Sequence, residues 1–291
     1  PSWCSGATAR APSRMPGELV VTGDDFGKSS EVNAAVEAAH REGILTTASL
    51  MVAEPAFDDA VARARACPEL ATGLHLVLCD GRAASAPSAG PRLAAADGVF
   101  ERSPARAGIR YWRERRALRG PLERELRAQL ERYLASGLPL DHLDGHHHLH
   151  LHPVVFDVLA PLLGEYRVPF VRLVHEDALG RGALPRPHDP VPAIFAALAR
   201  RARRLADAQG AVGTDRVYGL RATGRMDERE LLRLVRGLRA ATVEIYFHPS
   251  RASEPGRREE EALRSNAVRQ AVKDAGYALA STRTLARRRA A

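Results

Sequence analysis

Carboxylates and imidazoles, the side chains that bind divalent ions and transfer protons, recur in this sequence beside short apolar runs. Such runs predict buried strands, and the polar side chains stand within or just after four of them. They are Asp24 and Asp25, His75, Asp144 with His146, and His248. The carboxyl ends of parallel strands share one edge of a sheet, so these residues are candidates for a single site.

The adjacent aspartates Asp24 and Asp25 suit a division of roles. Neighbouring residues in an extended chain point in opposite directions, so one carboxylate can face an ion and the other a water molecule beside it. An alternative interpretation is a turn or a helix cap, where aspartate is common. His75 also has a plain alternative, because a single histidine in a strand is more often a packed or surface residue than a ligand.

The tract at residues 144–152 reads Asp-Gly-His-His-His-Leu-His-Leu-His. So many imidazoles are costly to place unless several find metal or hydrogen-bond partners. Pro153 keeps the residue before it extended, so we predict a strand end followed by a loop, with alternate histidines on one face. Those histidines are His146, His148, His150 and His152. One ion cannot bind them all, and the others are expected to orient ligands or to hydrogen-bond a substrate.

One carboxylate and two imidazoles would leave open positions on a divalent ion, which is the arrangement that hydrolytic chemistry uses. Nitrogen ligands favour Zn²⁺, whereas Mg²⁺ prefers oxygen, and spacing alone does not choose between the two ions. Hydrolysis of a phosphoester is disfavoured, because the sequence has no glycine-rich phosphate loop. A histidine-rich metal-binding protein without catalysis is the alternative from another class, and it leaves Asp24 and His75 unexplained.

Short apolar runs alternate with amphipathic stretches along the chain. Strands are predicted at residues 19–22, 44–52, 73–78, 168–174 and 243–247, and helices at 31–40, 57–66, 121–137, from 153, 191–208, 228–240 and 258–275. Ser30 is the expected cap of the first helix, and Pro121 the expected start of the third. Asp227 and Glu230 form a capping box. A core-facing stripe four residues apart consists of Leu122, Leu126, Leu130 and Leu134.

Strands separated by helices predict an α/β fold, in which a parallel sheet surrounded by helices closes towards a barrel. Residues 17–291 are predicted to form this single domain. Residues 1–16, rich in small residues and proline, are predicted to be a disordered tail. Loops at residues 79–104 and 175–190 are long, and we expect the first to flank the active site.

Composition limits the class of protein further. The chain has no apolar run of about 18 residues and no secretory signal pattern, so a cytoplasmic location is expected. Cys4, Cys67 and Cys79 lack the spacing of a disulfide framework or a zinc site. The net charge is +8, but Lys28 and Lys273 are the two lysines among 43 basic residues. This imbalance resembles a codon bias, and no recognition motif accompanies it, so no nucleic-acid partner is predicted.

Three motifs resemble the YdjC-like carbohydrate deacetylase family. They are Thr-Gly-Asp-Asp-Phe-Gly at residues 22–27, Gly-Leu-His-Leu at 73–76 and His-Leu-Asp-Gly-His-His-His-Leu-His at 142–150. They occur in the family's order, and the likeness runs from about residue 19 to 280. Gly23 and Gly145 stand where the family usually has alanine and serine, and both are small residues that permit close backbone approach.

The resemblance implies a barrel-like (β/α) fold with incomplete closure and removal of an N-acetyl group from an acetylated amino sugar. By motif position, the implied metal ligands are Asp25, His75 and His146. Asp24 is implied as the general base towards the attacking water, and His248 as the acid that protonates the leaving amine. The residues expected to contact substrate or to orient ligands are Asp144, His148, His150 and Arg172.

Within the family, the likeness is greatest to the hopanoid-biosynthesis-associated branch, through residues 48–52, 73–78, 150–153 and 244–249. This branch implies N-acetylglucosaminyl hopanoid as the substrate, a glycolipid at the inner membrane face. Another acetylated carbohydrate, such as a chitooligosaccharide, is the alternative. Basic residues at 113–119 and 200–204 are candidates for peripheral contact with an anionic bilayer, although such runs are more often solvated helix faces. A homodimer is a further hypothesis.

Overall fold

Seven parallel strands form the centre of the part of the chain that this computed structural model describes, residues 17–85, 93–177, 179 and 189–290. The strands are β1 (Gly17–Phe26), β2 (Thr47–Leu50), β3 (Ala71–Leu76), β4 (Leu143–Gly145), β5 (Arg216–Tyr218), β6 (Thr242–Phe247) and β7 (Tyr277–Ala280). Their order is β4-β3-β2-β1-β6-β5, and β7 pairs with the first part of β1. The predicted tail, residues 1–16, and most of the predicted loop 175–190 lie outside the described residues.

Helices follow or precede nearly every strand. They are α1 (Ser30–Glu42), α2 (Phe57–Arg65), α3 (Pro104–Arg113), α4 (Arg115–Ala135), α5 (Pro153–Glu165), α6 (Val191–Asp207), α7 (Glu228–Gly237), α8 (Glu254–Arg264), α9 (Asn266–Asp274) and α10 (Thr282–Ala290). The parallel sheet curls into a half-barrel surrounded by these helices, which confirms the predicted fold class. The extent of the predicted domain, residues 17–291, stays a prediction.

An extended segment, residues 168–175, spans the gap between the two edge strands β4 and β5. Leu143 N donates to Phe170 O at 2.9 Å on one side, and Val217 N donates to His175 O at 3.2 Å on the other. Its pairing consists of isolated bridges, including Leu143 with Val171, and not of a continuous ladder. The strand predicted at 168–174 is therefore an irregular connection, and closure of the barrel by regular pairing is incomplete.

The interior of the half-barrel changes from apolar to polar along the strands. Val20 and Phe170 belong to a small apolar cluster with residues of β7 and α10. Thr22 and Arg172 lie two residues further along the same segments, both fully buried. Because side chains two residues apart lie on one face of an extended chain, this face carries polar groups towards the carboxyl ends of the strands. The main apolar core lies on the opposite face, under the helices.

Helix starts and ends differ from prediction where a neighbouring residue supplies a better cap. Ser29, not Ser30, caps α1, since its Oγ accepts from Val32 N at 3.3 Å. The helix predicted at 258–275 is two helices, because Ser265 is extended and caps α9. Asp227 caps α7 through Glu230 N at 2.9 Å, but the Glu230 carboxylate pairs with Arg233. Half of the predicted capping box is thus formed, and α7 ends at Gly237.

Pro121 lies inside α4 and does not open it, because the helix already begins at Arg115. The leucine stripe on this helix is core for three of its four members: Leu122, Leu126 and Leu130 are fully buried. Leu134, in the last turn, is 43% exposed. The prediction that it faces the core is wrong, because side chains four apart drift by about 40° around the helix at each step, and in the last turn Tyr133 takes the buried position. Strands β5 and β7 and helices α3 and α10 had no counterpart in the prediction.

The contrast between Leu126 and Leu134 gives a direct test of the packing. Leu126→Ala should lower the free energy of unfolding by about 2 to 5 kcal/mol, since a fully buried leucine loses its apolar contacts and leaves a cavity. Leu134→Ala, on the same helix, should change it by at most about 0.5 kcal/mol. Urea unfolding of both variants measures the difference, and equal losses would contradict the burial described here.

Candidate metal centre and active site

A local irregularity of β1 separates the two adjacent aspartates. The register of β1 against β2 shifts between Gly23 and Phe26, and Asp25 has φ +62, in the left-handed region. This conformation costs a residue with a Cβ about 1 to 3 kcal/mol, so surrounding contacts must hold it in place. As a result, Asp24 points to the barrel interior, and Asp25 points towards His75 of β3 and His146, which directly follows β4. The two aspartate side chains point in different directions, as predicted, but the cause is a bulge in β1 and not the alternation of a regular strand.

The carboxylate of Asp25 meets two imidazoles. Its Oδ1 lies 2.9 Å from His146 Nδ1 and 3.5 Å from His75 Nε2. Asp25 Oδ1 and His75 Nε2 are buried and make no well-oriented hydrogen bond. Ligand atoms that share one ion at about 2.0–2.2 Å lie roughly 3 Å apart, so this spacing fits a single divalent ion. The three residues form a compact buried group that can bind a metal.

Hydrogen bonds fix the orientation of His75. Its Nδ1 lies 2.7 Å from Asp144 Oδ1, and Ser49 Oγ donates to Asp144 Oδ2 at 2.8 Å. A carboxylate that accepts from one imidazole nitrogen leaves the other nitrogen free for an ion. Burial by itself lowers the pKa of His75, but the Asp144 carboxylate outweighs it and raises the pKa to about 10. Burial likewise raises the pKa of Asp25, yet His146 and His75 hold it well below its usual range.

Arg172 lies at the centre of the polar interior and is fully buried. Its guanidinium donates to both oxygens of Asp24 at 2.7 and 2.8 Å, and to Glu244 at 2.8 Å. It also lies 2.8 Å from Asp144, and 4.8 Å above the ring of Tyr246. Three carboxylates from three strands thus share one cation. The pKa of Glu244 is raised, because burial outweighs the contact with Arg172.

The histidine tract is a tight turn, His146–Leu151, that follows the end of β4, so the predicted strand end and loop are present but the turn is not extended. His147 and His148 have φ values of 51 and 56, so successive rings point in different directions. The predicted shared face of alternate histidines is therefore absent. His152, the last of them, packs beside the ring of Tyr111 at 6.1 Å.

Two buried histidines of this turn support the site from the side. His148 Nε2 lies 2.9 Å from Tyr246 Oη, and His150 Nε2 lies 2.9 Å from the carbonyl of Arg172. Burial holds the pKa of His148 well below its usual range and lowers that of His150 to about 4. Both rings are neutral at pH 7. A carbonyl only accepts, so His150 donates to the carbonyl of Arg172, while His148 Nε2 and the Tyr246 hydroxyl are joined by one hydrogen bond.

His248 follows the last residue of β6 and is half-buried. Its backbone N donates to Glu259 Oε2 at 2.6 Å, and its ring lies 5.8 Å from that of Tyr246. Its charge is also close enough to help lower the pKa of Asp25. The structure thus brings all nine predicted site residues to the carboxyl end of the sheet.

Two other groups of side chains could be considered for an ion. Asp24, His75 and Asp144 lie close together, but the Arg172 guanidinium already occupies the space between the carboxylates. The second group is Asp80, His146 and His147. Its nearest contact to Asp80 is 3.6 Å and Asp80 is 46% exposed, so it holds an ion less firmly. The group around Asp25 is favoured because it is buried and the Asp25 oxygen that faces the histidines, Oδ1, accepts no hydrogen bond from an arginine or lysine of the described residues.

Lys28 is a contact that the motifs did not indicate. Its Nζ donates to Asp25 Oδ2 at 2.8 Å, which leaves Oδ1 as the oxygen turned to the histidines. The signal was in the composition, because lysine is nearly absent from this arginine-rich chain and yet occurs here. Glu244 was also missed, although a charged residue inside the apolar run of β6 marks a buried polar partner.

Comparison with known proteins shows the family of this chain. The model of the YdjC-like protein family matches residues 18–274, and the chain belongs to that family. Carbohydrate deacetylases of Brevibacillus brevis and Geobacillus stearothermophilus are each 43% identical to it, over 152 and 157 residues. These matches cover 52% and 53% of this chain but 58% and 59% of the relatives, so the chain spans less than two thirds of their length.

A solved structure shows the same fold. It is a protein of Enterococcus faecalis, provisionally described as a cellobiose-phosphate cleavage protein, with a TM-score of 0.73 and 22% identity. The similarity covers 93% of this chain and 99% of that one. Among the helices of the described residues, none is long and apolar enough to cross a membrane.

Binding of a divalent ion should release a proton from His75. Because the pKa of this ring is raised to about 10 in the ion-free protein, Nε2 carries a proton at pH 7 that a metal must displace. About one proton should therefore leave per ion, and affinity should fall roughly 10-fold for each pH unit below the pKa. Calorimetry in two buffers of different ionisation enthalpy counts the protons. His147→Ala is the control and should release the same number, whereas no release from the unmodified protein would contradict the assignment.

Proposed function

We propose that this protein hydrolyses the N-acetyl group of an acetylated amino sugar with the help of a divalent ion. The observation that carries the proposal is the meeting of Asp25 Oδ1, His75 Nε2 and His146 Nδ1, next to Asp24. The names of the deacetylase relatives support the same reaction. Asp25, His75 and His146 would hold the ion, which when bound would polarise the acetyl carbonyl as a Lewis acid.

The remaining side chains can move the protons. Asp24 is proposed to take a proton from water as the water oxygen bonds to the carbonyl carbon. The C–N bond then breaks, and His248 gives a proton to the leaving nitrogen, so that acetate and a free amine result. Each Asp24 oxygen accepts from Arg172, but an ionised carboxylate has about four acceptor positions, which leaves room for water. The two hydrogen bonds from Arg172 fix the orientation of this carboxylate.

Asp24→Asn should keep the ion but lower turnover on acetylated sugars by at least roughly 100-fold, because the amide cannot take the proton. His146→Ala should lose both the ion and activity. Acetate release and bound metal are measured on the same samples, with Zn²⁺ and Mg²⁺ supplied in turn. Asp157→Asn, which alters a surface pair with Arg201, is the matched control and should retain both properties.

Three results would count against this assignment. An empty site in Asp24→Asn would reverse the roles of the two aspartates. Phosphate release from simple esters without acetate release from any acetylated sugar would replace the proposed reaction. Binding of several ions per chain with no hydrolysis would favour the metal-binding alternative.

A lipid-linked sugar is the proposed substrate, as the resemblance to the hopanoid-associated branch implies, with a free chitooligosaccharide as the alternative. Support comes from two of the helices that contact the histidine turn, α3 and α6. Of six exposed large apolar residues in the described part of the chain, four lie on these helices. They are Ile109 at 60%, Trp112 at 55%, Val191 at 40% and Ile194 at 52% exposed. Exposed arginines at 113, 115 and 116 adjoin them, which suits an anionic lipid surface.

The variant Ile109→Ser/Trp112→Ser should bind anionic vesicles roughly 10-fold more weakly or worse, because two large apolar side chains no longer enter the interface. Leu134→Ser removes an apolar side chain of similar exposure elsewhere and should bind as the unmodified protein does. Flotation at low and high salt measures binding, and salt should weaken it. Equal binding of both variants would remove the membrane contact and favour a free carbohydrate, and equal binding to uncharged vesicles would remove the proposed role of the arginines.

A further inference from the structure

Glu176 is a buried carboxylate that the proposed mechanism does not use. It follows the extended segment 168–175, four residues after Arg172. Its Oε1 accepts three successive backbone N–H groups of the loop after β5, from Gly219 at 2.8 Å, Leu220 at 2.6 Å and Arg221 at 3.4 Å. Only 6% of the residue is exposed. This carboxylate therefore holds that loop at the carboxyl end of the sheet.

The other oxygen, Glu176 Oε2, is buried without a hydrogen-bond partner, and so is Arg221 Nε. Arg221 makes one long contact elsewhere, 3.6 Å to Asp189. Its charge acts on Glu176, whose pKa burial raises to about 7 against the pull of the backbone N–H groups and Arg221. None of the ion pairs within 4.0 Å in the described ranges joins these two residues. An acceptor and a donor thus stand near each other, both unsatisfied and too far apart to pair.

This pair adjoins the proposed active site through Tyr246. Gly219, which donates to Glu176, packs directly on that ring, since a Cβ at Gly219 would lie 2.7 Å from it. The same ring lies under Arg172 at 4.8 Å, and its hydroxyl contacts His148 at 2.9 Å. Tyr246 therefore contacts Arg172 and His148 of the proposed active site and also Gly219, the residue that donates to Glu176.

The chemistry of the pair selects its ligand. A cation would be repelled by Arg221, and an anion by Glu176. A neutral group that accepts from Arg221 Nε–H and donates to Glu176 Oε2 satisfies both, and a hydroxyl does this with a single oxygen. We propose that Glu176 and Arg221 bind one hydroxyl of the sugar ring, a subsite that rests on the proposed function. The subsite would distinguish sugars by the position of that hydroxyl relative to the acetylated nitrogen.

Two variants remove one half of the subsite each. In Glu176→Gln the side-chain oxygen can still accept the three backbone N–H groups, while the amide NH₂ replaces the free acceptor. Arg221→Lys keeps the positive charge but removes Nε–H. Glu125→Gln is the control, because Glu125 is also buried and also accepts backbone N–H groups, but both of its oxygens have partners. Thermal unfolding of the three variants checks that each is folded.

The ligands are methyl N-acetyl-β-glucosaminide and its 3-deoxy, 4-deoxy and 6-deoxy analogues, with dissociation constants measured by ligand-observed NMR before appreciable hydrolysis. The unmodified protein and Glu125→Gln should bind one analogue on the order of 10-fold more weakly than the parent sugar. Glu176→Gln and Arg221→Lys should bind the parent about 10-fold more weakly and no longer distinguish that analogue. Unchanged discrimination in both variants, or none in the unmodified protein, would overturn the subsite and leave a structural water between the two groups.

Acetate release by the metal-loaded protein, measured in parallel, separates this inference from the proposed function. Acetate release with unchanged discrimination overturns the subsite and leaves the deacetylase proposal standing. Loss of discrimination in the two variants without acetate release supports the sugar subsite and overturns the proposed reaction.

Discussion

The buried guanidinium of Arg172 is the interaction on which the rest of the site depends. It joins carboxylates carried by β1, β4 and β6, namely Asp24, Asp144 and Glu244. Stability does not explain this arrangement, because replacing a buried ion pair by well-packed apolar residues is often neutral or stabilises by about 1 to 4 kcal/mol. Removing one partner, by contrast, leaves an uncompensated charge. We therefore infer that the role of this cluster is to fix the positions of the three carboxylates across the half-barrel.

A chain of hydrogen bonds leads from Arg172 to the candidate metal ligands and fixes their orientation. Arg172 and Ser49 hold Asp144, Asp144 holds Nδ1 of His75, and Nε2 of His75 is left facing Asp25. Asp24 and Asp25 differ in chemistry although they are neighbours. The former is neutralised by an arginine inside the barrel, and the latter is held by imidazoles and Lys28 at its mouth. The left-handed conformation at Asp25 is what allows one strand to supply both environments.

Much of this could be predicted from the sequence, because strand-forming runs place their carboxyl ends at one edge. Asp25 and His75 lie at the ends of two strands and His146 directly follows a third, so their proximity followed from that rule. The turn at residues 146–151 could not be foreseen, since two consecutive left-handed histidines persist only where tertiary contacts with Tyr246 and the Arg172 carbonyl hold them. Strand β5 was missed for a similar reason, as three residues carry too little periodicity to be recognised.

The irregular segment 168–175 shows why the least regular part of the sheet carries so much of the site. In a continuous ladder, hydrogen bonds on every second residue would fix the backbone of the whole segment. Here the segment has only isolated bridges to β4 and to residue 212, so its backbone is not held to regular strand geometry between them. Arg172 can then reach three strands, and Glu176, four residues later, can bind the loop after β5. Because closure of the barrel is incomplete, this one segment carries both Arg172, which contacts Tyr246, and Glu176, which binds the loop that packs on Tyr246.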